Sequence, residues 1–88
     1  MYGLLIELKD GHANEKRHMD IMTALAPHGF RFIADNVYFC SNPQVPEVLV
    51  VHNAIMALRN LRWFDEAAER VVAFKVDTWG DITNAFRE

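Results

Sequence analysis

Apolar and polar positions repeat along this chain with two different periods, and the switches between them mark its elements. Residues 1–8, Met1-Tyr2-Gly3-Leu4-Leu5-Ile6-Glu7-Leu8, are apolar on both faces of an extended chain, and Lys9-Asp10-Gly11 closes the run as a turn. A strand greasy on both sides belongs in the middle of a sheet. Glu7 is the one carboxylate in it, close to the carboxyl end, where sites tend to form in open sheets. The plainer reading is an acid facing water at a frayed strand end.

From residue 14 the period becomes helical and holds to about residue 26. Asn14 suits the N-cap. Met19, Ile21, Met22 and Leu25 fall on one side with His18 among them, and Lys16, Arg17, Asp20 and Thr23 fall on the other. Pro27 and Gly29 end the helix. Phe30-Arg31-Phe32-Ile33 and Val37-Tyr38-Phe39-Cys40 read as strands, with Ala34-Asp35-Asn36 as the tight turn of a hairpin.

A second helix is expected over residues 46–61, with Pro46 in its first position and an apolar stripe of Val50, Val51, Ala54, Ile55, Leu58 and Leu61. Leu49 and Met56 form a small separate patch. Residues 65–70 read as a short turn of helix, residues 71–76 as the last strand. The tail that follows carries Trp79 and Phe86, large aromatics that are expected to dock.

The resulting order is β-α-β-β-α-β, the ferredoxin-like α+β arrangement, as one domain over residues 1–88. Two helices would cover one face of a four-stranded antiparallel sheet whose first and third strands are central. Leu5 would then point away from the helices, Val71 and Ala73 oppose Val72, Phe74 and Val76, and Tyr38 and Cys40 oppose Val37 and Phe39, so the uncovered face is apolar. That much apolar surface predicts a homodimer, most simply with a twofold axis.

Composition sharpens this picture at three points. A hydrophobic content of 51% is high for 88 residues and agrees with a covered second face. A net charge of −3 with acids and bases interleaved argues against strong sequence-independent affinity for a phosphate backbone, although an enzyme needs only a local cluster of positive charge. Cys40 is the only cysteine, so no intramolecular disulfide forms, and with no membrane-length apolar run or signal segment the expectation is a cytoplasmic protein.

Several stretches then carry a family likeness. Residues 1–9, then Gly29-Phe30-Arg31-Phe32 with Asn36-Val37-Tyr38-Phe39, then Trp63-Phe64, Val71-Val72-Ala73-Phe74-Lys75-Val76-Asp77 and Trp79-Gly80-Asp81-Ile82-Thr83 resemble the virulence-associated protein D family in order and spacing. The resemblance implies a ferredoxin-like homodimer with endoribonuclease activity, often the mRNA-cleaving toxin of a bacterial toxin–antitoxin pair, and hence RNA and a protein antitoxin as partners. Family members typically carry an aspartate near the end of the first strand, where this chain has Glu7. A small polar residue is common at the position of Asn36. Where members carry an acid before the closing strand, this chain has Arg70.

RNA cleavage requires a base for the 2′-hydroxyl, a proton for the leaving oxygen and positive charge on the phosphate. On this reading Glu7 is the base and His18, brought near it by the start of the first helix, the acid; Lys9, Arg17, Arg31 and Asn36 would contact substrate. Each has a plainer role: His18 as a helix-boundary histidine packed on its ring, the cations as solvated charges. The four histidines show no zinc spacing and Cys40 has no companion, so no metal centre is expected. One variant has Glu7 of two subunits sharing Mg²⁺ with help from Asp10. The competing class is a non-catalytic dimeric module that binds RNA or protein.

Overall fold

The computed structural model describes residues 1–41, 44–77, 80 and 83–86. Four strands, β1 (Tyr2–Leu8), β2 (Phe30–Ala34), β3 (Val37–Cys40) and β4 (Ala68–Lys75), form one antiparallel sheet in the order β2-β3-β1-β4. The helices are α1 (Glu15–Leu25), α2 (Glu47–Arg59) and a single turn, α3 (Phe64–Ala67). The ferredoxin-like arrangement is therefore present, with β1 and β3 central.

The core lies between the sheet and the helices. Leu4 and Ile6 of β1, Tyr38 and Cys40 of β3 and Phe30 of β2 meet Ile21 and Leu25 of α1, Val50, Ala54, Ala57 and Leu58 of α2, and Phe64. Strand residues alternate between faces. The opposite face therefore carries Gly3, Leu5 and Glu7 from β1, Val37 and Phe39 from β3, Arg31 from β2, and Arg70, Val72 and Phe74 from β4, which the ladders set in rows. Helices α1 and α2 pack on the other side of the sheet from these residues.

Local chemistry accounts for the boundaries. The Asn14 side chain accepts the Arg17 N–H at 2.8 Å and caps α1. Gly29, at φ 87°, takes the left-handed position after the 3₁₀ turn Ala26–His28. In the hairpin, Asn36 sits at φ 64° and its carbonyl accepts the Ile6 N–H at 2.8 Å. The turn is thereby pinned to the central strand. The buried Cys40 thiol points at the carbonyl of His28, 3.5 Å away.

Four expectations about the helices and strands change. Met19 is exposed, so the apolar side of α1 is narrower than its periodicity suggests. In α2, Ala57 is buried and Ile55 is 46% exposed, because the helix is apolar nearly all round and its pattern fixes no unique inner face. Pro46 precedes that helix as its N-cap instead of occupying its first turn. Strand β4 starts at Ala68, three residues before the expected Val71, so Glu69 and Arg70 belong to the sheet. An edge strand is where charged residues are tolerated in a sheet, and they disguised its beginning. Of the two aromatics expected to dock the tail, Trp79 lies outside the described residues, and Phe86 is 78% exposed and so is not docked on this chain. No helix among the described residues is long and apolar enough to cross a membrane.

The open face covers itself in part. Phe74 packs edge-on to Phe39, centroids 6.1 Å apart, over the bare backbone of Gly3. A Cβ at Gly3 would enter the Phe74 ring. Gly3→Ala is expected to cost about 1–2 kcal/mol as the ring is pushed off, a fall of roughly 5–15 °C in Tm; an unchanged Tm would show that the ring does not need this gap. At the hairpin, Asn36→Gly should leave the urea midpoint nearly unchanged, whereas Asn36→Val, forced to positive φ, should destabilise by about 1–2 kcal/mol.

Candidate functional site

The open face is apolar through two rows and turns polar in the third. Arg31, Phe39, Gly3 and Phe74 lie across the sheet in one row, and Val37, Leu5 and Val72 in the next. Beyond them Glu7 faces Arg70 across the β1–β4 ladder. Directly opposed residues have Cα atoms about 4.5–5.5 Å apart and project from the same face. Glu7 is half-buried and Arg70 exposed. Neither makes an ion pair with a described residue, so both charged heads are available to a third group.

The backbone is irregular at this point. The pairing runs Glu7 with Arg70 and then Leu8 with Ala68, leaving Glu69 as an extra residue in a bulge. Bulges bend a strand and re-aim its side chains, and are frequent beside active sites. The Asn36 turn closes the other side, since its carbonyl bonds the N–H of Ile6, next to Glu7. The Lys9 N–H bonds the Ala67 carbonyl at 2.8 Å, which carries the chain past the sheet edge with the Lys9 side chain exposed.

The other residues expected at the site lie elsewhere. His18 belongs to the helical side: its Nδ1 lies 3.3 Å from the Tyr38 hydroxyl, and its ring meets Phe32 edge-on at 4.8 Å. Burial pushes the Tyr38 hydroxyl above its usual range, keeping it protonated as His18's partner. Glu7 and His18 therefore occupy opposite faces of one sheet, because Glu7 alternates with the core residue Ile6. The expected pairing of the two within one chain does not occur. Arg17 is held on the helical side as well, with Nη1 donating to the His12 carbonyl at 2.9 Å and the guanidinium 4.8 Å from the centre of the Trp63 ring. Trp63 thus packs against a cation of its own chain. Arg31 shares the face of Glu7 but is level with Gly3, about 13 Å away along the strand direction.

Among the described residues no three His, Cys, Asp or Glu side chains gather where one chain could hold a metal ion. Mg²⁺ takes hard oxygen ligands, usually more than one carboxylate or a carboxylate with phosphates. A single carboxylate facing a guanidinium, which repels a cation, fits it poorly. Arg70, which the sequence put in a helical turn and set only against an acid of the resembled family, lies opposite Glu7; that acid–base match appears only once the β1–β4 register is known.

No family model matches the chain. It is 30% identical over 67 residues to an endoribonuclease VapD homologue of Neisseria gonorrhoeae, covering 76% of this chain and 70% of that protein. It is 26% identical over 73 residues to endoribonuclease VapD of Haemophilus influenzae, covering 83% of this chain and 77% of that one. With likeness at this level over most of its own length and of theirs, the chain belongs to the virulence-associated protein D (VapD) family.

Proposed function

We propose that this protein is an endoribonuclease that works as a homodimer, with Glu7 as its catalytic carboxylate. The observation that carries the reading is the position of Glu7: a half-buried acid, free of any ion pair with a described residue, where an apolar sheet face gives way to polar groups. The VapD relatives, named as endoribonucleases, supply the reaction class.

In the proposed reaction the Glu7 carboxylate takes the proton of an RNA 2′-hydroxyl. That oxygen attacks the adjacent phosphorus, the bond from phosphorus to the 5′-oxygen breaks, the departing oxygen takes a proton from water, and the hydroxide so formed takes back the proton held by Glu7. The products are a 2′,3′-cyclic phosphate and a 5′-hydroxyl. General-base help of this kind is worth about 10²–10⁴ in rate. His18 has no part in it, since it faces the other side of the sheet, and the poor donor set argues for cleavage without a metal ion.

The dimer follows from the row of Val37, Leu5 and Val72 with Phe74 in the row beside it, apolar surface that water solvates badly. A second copy with the same face, related by a twofold axis, would cover both and enclose two Glu7 sites in one interface. The reading extends to a cytoplasmic toxin held in check by a protein antitoxin, as the resemblance to toxin-type members implies.

Incubation of the purified protein with structured RNA should give cleavage that survives chelation of divalent ions. Glu7→Gln should reduce it at least a hundredfold. Equal cleavage by the variant would remove Glu7 from the mechanism, and no cleavage by the unaltered protein would leave the binding-module reading. Sedimentation at micromolar concentration should show a dimer; a monomer would contradict the role given to the open face.

A further inference from the structure

We infer that Arg70 is the phosphate-binding residue of this site, a role that rests on the endoribonuclease reading above. Three observations carry it. The register places Arg70 directly opposite Glu7 on the same face of the sheet. A bulge falls in β4 at this step, where it alters the aim of the side chains beside it. Neither side chain is engaged by another charge among the described residues.

Cleavage by a carboxylate base creates a specific electrostatic need. Phosphate and carboxylate are both anions, so a base beside the phosphate repels its own substrate unless a cation stands between or alongside them. Negative charge on the phosphate then grows as the 2′-oxygen attacks. A guanidinium meets both demands, because its planar fork donates two parallel hydrogen bonds to phosphate oxygens and it stays charged at every working pH. Arg70 is the cation so placed. Arg17 is committed to His12 and Trp63, Arg31 lies two rows away, and Lys9 is beyond the strand end.

The opposed pair also explains how an acid site can work with one carboxylate per chain. An arginine across the ladder supplies in protein form the positive charge that a divalent ion would otherwise bring. The lone acid and the arginine then form one functional unit, carboxylate for the proton and guanidinium for the phosphate.

The test uses the full chain with Arg70→Ala and Arg70→Lys, a cleavable RNA, and the same RNA carrying 2′-O-methyl groups throughout, which binds but lacks the nucleophile. Arg70→Ala should lower kcat/KM about a hundredfold, with much of the loss in kcat, and Arg70→Lys should recover part of it. On 2′-O-methyl RNA, Arg70→Ala should weaken binding and make the dependence of log K on log salt shallower by about 0.7, the value of one single-strand phosphate contact. Unchanged Tm and sedimentation would show that the variants fold; should Arg70→Ala fail to fold, Arg70→Lys and Arg70→Gln carry the comparison.

Cleavage and binding by Arg70→Ala equal to those of the unaltered protein would overturn the inference. So would lost cleavage with the salt dependence of binding unmoved, since that outcome marks a merely structural partner of Glu7. If the unaltered protein binds RNA without cleaving it and Arg70→Ala weakens that binding with a shallower salt slope, the phosphate contact stands and the endoribonuclease reading fails.

Discussion

Strand β1 has to satisfy two environments at once. Leu4 and Ile6 close the core beneath the helices, while the residues between and beyond them, Gly3, Leu5 and Glu7, face the side that the helices leave open. Because side chains alternate strictly, neither set can shift without exchanging faces with the other. The burial of Leu4 and Ile6 therefore fixes where Glu7 projects, and the ladders on either side carry that choice to β3 and β4. Hydrophobic burial on one surface thus positions the candidate chemistry on the opposite one.

Much of the architecture was legible from the sequence for the same reason. Apolar residues on both faces of residues 1–8 called for a central strand, and the Asn14 cap, the Gly29 stop and the Asn36 turn each have a backbone cause that the structure displays. What periodicity could not supply was orientation within elements that are apolar nearly all round. The inward turn of Ala57 and outward turn of Ile55 are settled by packing between helix and sheet, which a pattern read along a single helix does not contain.

The site was legible in part. Glu7 emerged because a carboxylate interrupting a greasy strand is conspicuous. His18 looked like its partner because the turn after β1 brings the start of α1 back toward the strand end. Closeness in sequence said nothing about which side of the sheet each residue would face, and Tyr38 and Phe32 claim the imidazole on the helical side. Arg70 was hidden by the opposite difficulty. It is 63 positions from Glu7, and only hydrogen bonding between the first and last strands makes them neighbours.

The Cys40 thiol, buried at the end of β3 with the carbonyl of His28 3.5 Å away, has a practical consequence. As the sole sulfhydryl of the sequence, it is screened from alkylating reagents while the sheet and the 3₁₀ turn stay together. Its rate of labelling then counts how often that corner opens, so the protein carries an internal clock for its own local unfolding without any engineered probe.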